Sequence, residues 1–371
     1  MRITDVKTFI LDAHDGRSVS ASDGHLLVKV ETDNGLTGWG EAFTAPAIIR
    51  MIIEADFARD RRSGLKALLV GEDPLDTDAL WHRMSEGTLM LGRDGVAVHA
   101  MAAIDLALWD IKGKAADQPV HALLGGARRD RVACYATHTL GDTIDETAGY
   151  AKALVERGFR AVKFGWLPKG NNADEDEAIV AALRQAIGPD IKLLIDCGMY
   201  WDVDTALERT RRFAPYDIYW FEESLTAYDV EGYARLRRES ALTITAGEMA
   251  ATAGELNRLI DAHAVDVLQI ELTQTGLTPA MTIAASANSR GIAIVNHHYV
   301  LDVNLAASLH FLAAVDTIDL CETPGNANPI RDAICRNPPR PDADGMIAVP
   351  SGPGLGIEID EDAVRRFALD D

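Results

Sequence analysis

Three acidic residues recur in step through the middle of the chain. Asp196 ends the run KLLID, Glu222 ends IYWFE and Glu248 ends TITAGE; Glu222 lies as far beyond Asp196 as Glu248 lies beyond Glu222. One acid at a strand end is commonly a solvated residue or a helix cap. Three at equal intervals predict carboxylates standing side by side on neighbouring strands. Clustered carboxylates repel and raise one another's pKa, and a divalent cation removes that cost. A ligand set made only of oxygen favours Mg2+, with Mn2+ as the alternative, and argues against zinc.

The next runs supply a base. VLQIE ends in Glu271 and IAIVNHH ends near His298. A carboxylate beside an imidazole fixes its tautomer and stabilises its protonated form. We therefore expect a His298–Glu271 dyad facing the acidic cluster. His297 is the competitor, because strand alternation lets only one of the two histidines point inward. In AVKFG, Lys163 and Gly165 share one strand face and Phe164 takes the other. Lys163 pointing inward would bring a positive charge or a second base. LCETP places Glu322 at the end of the last strand, and His138 follows the first as a weaker candidate for substrate binding.

These residues need a scaffold that brings successive strand ends together. The β-type runs are Val132–Thr137, Arg160–Phe164, Lys192–Asp196, Ile218–Glu222, Thr243–Glu248, Val267–Glu271, Ile292–Asn296 and Thr317–Cys321. Helical stretches separate them. Asp174–Ile187, for example, carries Ile179, Leu183 and Ile187 on one face and ends at Gly188-Pro189. Alternating strands and helices predict a parallel sheet with right-handed crossovers, and eight such units predict a TIM-type (β/α)8 barrel whose site gathers at the C-terminal strand ends. The first residues read differently. His25–Thr32 and Leu36–Glu41 flank Asp33-Asn34-Gly35, a hairpin turn, and Ala45 to Gly113 reads as helices, including AVHAMAAIDLALWDIKGK at Ala97–Lys114. The expected division is an α+β unit over 1–125, the barrel over 126–330, and a Pro/Gly-rich segment over 331–371 returning to the first unit.

Composition narrows the partners. Apolar residues make up 47% and charged residues 25%, as in ordinary globular proteins, and the formal net charge is −21. So acidic a chain is a poor fit for nucleic acid or anionic membranes. Cys134, Cys197, Cys321 and Cys335 are scattered, without the spacing of a disulfide framework or zinc site. With no leader-like start and no apolar run of about 18 residues, the expected compartment is the cytoplasm.

Taken in order, Asp196/Glu222/Glu248, WFEES, VDVLQIELTQTGL, His298 and Glu322, with GWGEA, AIDLALWDIKGK, LLGG and PSGPGLGIEI, resemble the mandelate racemase and muconate lactonizing enzyme branch of the enolase superfamily over nearly the whole chain. The resemblance implies an α+β capping domain over a modified (β/α)7β barrel and one Mg2+ on Asp196, Glu222 and Glu248. It implies a His298–Glu271 base, with Glu where Asp is more usual, and Lys163 and Glu322 acting on a substrate carboxylate. It also suggests an even-numbered homo-oligomer. Two departures stand out. The family often has Lys-x-Lys on its second strand, whereas this chain has Lys163-Phe164-Gly165 and lacks the second lysine. It also has Asp196-Cys197-Gly198-Met199 where Asp-x-Asn is frequent, and this run with Glu-Glu-x-Leu resembles the L-rhamnonate dehydratase-like branch.

The implied chemistry is removal of the proton next to a carboxylate. A racemase needs groups on both faces of the carbon, while a dehydratase needs one base that can also assist departure of the β-hydroxyl. The missing lysine thus favours dehydration of an aldonate or aldarate to a 2-keto-3-deoxy acid. A racemase/epimerase or cycloisomerase, and a catalytically silent binding member of the same fold, are the alternatives. Substrate choice is expected from Ser18–Gly24, His138, Tyr200 and Trp201, with Trp166–Ala173 as a lid.

Overall fold

The computed structural model describes residues 1–12, 24–42, 44–92, 94–167 and 172–369. Three strands, β1 (Ile3–Leu11), β2 (His25–Thr32) and β3 (Thr37–Ala42), form an antiparallel sheet. The β2–β3 turn is the expected hairpin, with Gly35 at φ 86° and the Leu36 N–H donated to Asn34 Oδ1 at 3.2 Å. A two-stranded ribbon, β4 (Ala58–Arg59) and β5 (Arg62–Ser63), lies among the helices that follow. One face of the sheet buries Val6, Ile10, Val28 and Val30 against Ile49, Ile53, Ile104 and Leu108 of those helices.

The helix Val96–Ala116 is apolar almost all round and mostly buried, because it is covered on opposite sides. On one side lies β3, pressed so close that a Cβ on Gly38 would sit 2.0 Å from the Ala107 carbonyl oxygen and one on Gly40 1.8 Å from that of Ala103. Alternation turns the intervening Trp39 and Glu41 the other way, and Trp39 joins the apolar cluster of the barrel.

Eight parallel strands follow: β6 (Arg131–Thr139), β7 (Ala161–Gly165), β8 (Lys192–Asp196), β9 (Ile218–Glu222), β10 (Ile244–Ala246), β11 (Val267–Ile270), β12 (Ala293–Asn296) and β13 (Leu320–Pro324). They run in chain order around a nearly closed barrel, with β13 beside β6 and the remaining seam bridged from Ile318 N–H to the Ile294 carbonyl at 3.2 Å. Tyr135, Leu194, Trp220, Val267, Val295 and Leu320 fill its interior, while Phe164, Ile195, Phe221, Leu268 and Ile294 pack outward under the helices. The last barrel strand begins three residues later than expected. Thr317 Oγ1 accepts the Asp319 N–H at 3.0 Å and Asp319 sits at φ 60°, so that stretch is a turn.

The C-terminal segment touches both units. β14 (Met346–Ala348) pairs antiparallel with β6, and Leu369 N–H reaches the Ile10 carbonyl at 2.8 Å. No helix among the described residues is long and apolar enough to cross a membrane.

The contact between β3 and the helix predicts a graded cost. Gly40→Ala should lose about 2–3 kcal/mol or more through overpacking, whereas Gly35→Ala, with open space around it, should lose only about 1 kcal/mol from its left-handed backbone. Urea denaturation of the two variants checks the order; equal losses would contradict the packing.

Candidate active site and metal centre

The carboxylates converge. Asp196 and Glu222 end β8 and β9, directly opposite in the parallel register, and Glu248 follows β10. Each offers a ligand oxygen, all within 4.8 Å of one another. Main-chain and side-chain donors hold them: Gly198 N–H on Asp196 Oδ1 at 2.9 Å and Trp220 Nε1–H on Glu222 Oε2 at 2.8 Å. Burial, with the charges of Glu222 and Glu248, holds Asp196 well above the usual carboxylate range. Burial pushes Glu248 up to about 8 against the pull of His297 and Lys163.

Lys163 points inward from β7, as alternation requires. Its ammonium bonds Glu222 Oε1 and lies 2.8 Å from Glu322 Oε1. Burial works against its charge, but Glu222, Glu322, Glu248 and Asp196 outweigh it and hold the amine protonated. Glu322 moves the other way. Its burial is outweighed by Lys163 and His297, and its Oε2 accepts the His298 main-chain N–H at 3.1 Å. An ionised Glu322 can only accept, so a direct hydrogen bond to a substrate carboxylate would require it to gain a proton.

The histidine expected to face the site is corrected by the strand phase. Val295 points into the barrel, so His297 does too and His298 does not. His297 Nδ1–H donates to Glu271 Oε2 at 2.7 Å and its Nε2 lies 3.4 Å from Glu248 Oε2. The His298 ring is buried on the outer side, with neither nitrogen hydrogen-bonded among the described residues. Its burial, then the charges of Arg331 and His297, keep it neutral. The dyad is thus His297–Glu271. Burial opposes charge on His297, but Glu248, the hydrogen bond to Glu271 and Glu322 raise it to about 10. Glu271 Oε1 is fully engaged, accepting from Thr273 N–H, Thr273 Oγ1–H and Asn304 Nδ2–H, each at 2.8 Å.

His138 is also corrected. In the register it pairs with Phe164, and its ring lies 4.5 Å from Tyr150 and 5.8 Å from Phe164, outside the barrel. Trp201 stacks on Phe221, likewise outward, while Tyr200 is exposed. Ser18–Gly24, apart from Gly24, and residues 168–171 of Trp166–Ala173 lie outside the described residues. A Cβ on Gly165 would stand 3.0–3.2 Å from the Asp196 side chain, so that position abuts the acidic cluster and carries no base. Residues not singled out from sequence include Trp220, Thr273 and Asn304; only Glu271-x-Thr273, an acid two residues before a hydroxyl, carried a local signal.

Three buried oxygen donors fit a hard divalent cation such as Mg2+. Glu248 Oε2 has no hydrogen-bond partner among the described residues, as a ligand oxygen awaiting a cation would.

Comparison with known proteins agrees with this geometry. Residues 16–125 match the mandelate racemase / muconate lactonizing enzyme N-terminal domain, and residues 146–363 match the enolase C-terminal domain-like family. The chain belongs to the mandelate racemase/muconate lactonizing enzyme family of the enolase superfamily. It is 34% identical to D-galactarolactone cycloisomerase of Agrobacterium fabrum, over 100% of both chains. It is 30% identical to arabinonate dehydratase of Saccharolobus solfataricus, over 98% of this chain and 99% of that protein. Among solved structures, the 3,6-anhydro-D-galactonate cycloisomerase of Zobellia galactanivorans superposes with a TM-score of 0.91 at 29% identity, over 100% of both chains.

In this family member the metal-free site should be sensitive to pH. Glu248 rises from 4.5 to about 8 on folding and His297 from 6.5 to about 10. Both therefore contribute stability at low pH that is lost as pH climbs, between about 4.5 and 8 for Glu248 and between about 6.5 and 10 for His297. Mg2+ competes with those protons, so the rise in Tm on adding Mg2+ should be larger at pH 8 than at pH 5.5. Differential scanning fluorimetry checks this. Glu248→Gln should abolish the Mg2+ response, and a response surviving in that variant would remove the triad as the metal centre.

Proposed function

We propose that this protein removes the α proton of an acid-sugar carboxylate and expels the oxygen on the β carbon, dehydrating an aldonate or aldarate to a 2-keto-3-deoxy acid. The observation that carries this is the His297–Glu271 pair, its Nε2 3.4 Å from Glu248, in a barrel where Gly165 leaves the second-lysine position without a base.

Asp196, Glu222 and Glu248 would hold Mg2+, whose charge stabilises the carboxylate oxygens as negative charge develops on them. Lys163 adds a second positive charge at the same end of the site, and Glu322 positions it. His297 accepts the α proton on Nε2, while Glu271 holds Nδ1–H and stabilises the imidazolium. Hydroxide is a poor leaving group, so the protonated His297 returns its proton to the β oxygen as the C–O bond breaks. The α C–H and β C–O bonds are lost, water departs, and the resulting enol tautomerises to the 2-keto-3-deoxy acid.

A second outcome shares the first step. The 34% identity to a cycloisomerase over the full length favours ring opening, in which the β oxygen is a ring oxygen, the product is an isomer and no water is lost. One assay separates them: a panel of acid sugars, their lactones and anhydro derivatives with Mg2+, read by product mass and by α-proton exchange in deuterated water. His297→Asn should lower kcat by about 10²–10⁴-fold, and His298→Asn should leave most activity. Full turnover by His297→Asn would end this mechanism.

A further inference from the structure

The residues that aim the base extend beyond the barrel, to the capping unit. Asn304, which donates to Glu271 Oε1, lies in the first turn of the helix Asp302–Ala314. That helix begins at Leu301, which has no side-chain cap of its own. Its orphan donors are met from elsewhere: Glu41 of β3 accepts the Leu301 N–H on Oε1 at 2.7 Å and the Asn304 N–H on Oε2 at 3.0 Å. One carboxylate thus supplies in trans what a capping box supplies locally, satisfying both the cap residue and the third helical residue. Glu41, Asn304 and Glu271 are all fully buried, so no water competes for these bonds.

We infer that Glu41 is a positioning residue for the base: through Asn304 it fixes where Glu271 holds the His297 imidazole. This rests on His297 acting as the base. The path is short and directional. Glu41 fixes the Asn304 backbone, the Asn304 amide fixes Glu271 Oε1, and Glu271 Oε2 fixes His297 Nδ1–H at 2.7 Å. The Gly38 and Gly40 contacts give β3 no room to retreat, so Glu41 reaches the helix from a fixed strand. Burial pushes its carboxyl up to about 8 against the pull of the two main-chain donors. The alignment of the base would therefore depend on a residue of the capping unit as well as on the barrel.

The test uses Glu41→Gln and Asn304→Ala in the full chain. Glutamine keeps the shape but turns an amide N–H₂ toward one of the two main-chain donors. Both variants should lower kcat by about 10- to 100-fold, with KM little changed and the Mg2+-dependent rise in Tm retained, since the triad sits on other strands. The double variant should be no worse than the poorer single one, because both act on one path. The His297 Nδ1–H proton resonance, measured without substrate, should move in each variant. A merely structural Glu41 would lower Tm while leaving that resonance and kcat unchanged, and this outcome overturns the inference. If Glu41→Gln does not fold, Glu41→Asp, which shortens the reach to both main-chain donors, takes its place: an unmoved resonance overturns the inference and a moved one supports it. If no acid sugar is turned over, or His297→Asn stays active, the proposed function fails separately, and the resonance still decides whether Glu41 positions the imidazole.

Discussion

Burying three carboxylates within reach of one another is the constraint on which the rest of this site depends. Buried charge is tolerated only when paired and hydrogen-bonded. The barrel answers with cations on both flanks: Lys163 on the β7 side, bonded to Glu222, and His297 on the β12 side, beside Glu248. Each is itself braced by a further acid, Glu322 for the lysine and Glu271 for the imidazole. Around the barrel mouth Lys163 thus opens the run Asp196, Glu222, Glu248 and Glu271, and His297 closes it before Glu322. A divalent cation entering between the three acids would weaken their hold on Lys163 and His297, freeing the lysine for a substrate carboxylate and easing the imidazole toward the neutral form that accepts a proton. On the proposed mechanism, metal binding and activation of the base would be one electrostatic event.

The same device, a buried acid receiving main-chain N–H groups, joins the two units. Asp105 on the helix Val96–Ala116 accepts the Thr278 N–H and hydroxyl at 2.8 and 2.6 Å, at the start of another barrel helix. Asp110 on the same helix accepts Leu355 N–H of the C-terminal segment at 2.9 Å and Trp39 N–H of β3 at 3.0 Å. With Glu41, these acids attach the capping elements at fixed points. Apolar contact alone is non-directional and would let the units slide. A carboxylate matched to particular N–H groups does not. For a site whose base is supported from one unit and whose substrate loops are expected from the other, that registration matters as much as the area buried.

Much of this was visible in the residues because barrel geometry converts sequence spacing into proximity. The acids at equal intervals became neighbours, and parity within AVKFG placed Lys163 inside. The same parity, started from Val295, selects His297; taking the end of the run as the end of the strand led to His298 instead. His138 failed on the same parity: Tyr135 fills the interior, so His138, three residues on in β6, faces out beside Phe164. The late start of β13 came from a side-chain turn at Thr317 within a β-like composition. Glu41 was illegible in principle: its strand was recognisable, but nothing in GWGEA says which helix, some 260 residues later in the chain, lacks a cap.

The two reaction types named among the relatives can be related through one property of the proposed chemistry. In the proposed chemistry, removing the α proton would call on the metal acids, Lys163 and the His297–Glu271 pair, whatever happens next. Only the fate of the β oxygen differs. A hydroxyl leaves as water and needs a proton at the moment of cleavage, and the sole imidazole of the dyad is the group that has just acquired one. It must therefore reach both the α hydrogen and the β oxygen on the same side of the substrate. A lactone carboxylate leaves unaided, so its ring oxygen can lie on either side, whereas the ether oxygen of an anhydro sugar leaves as an alkoxide and needs the proton as a hydroxyl does. On the proposed mechanism, dehydration and lactone opening would differ in the conformation in which the substrate is held over His297. That conformation is set by the walls of the cavity, while the charged machinery beneath stays the same. Side chains that press the β oxygen toward His297 would favour dehydration, and those that leave it free would allow lactone opening.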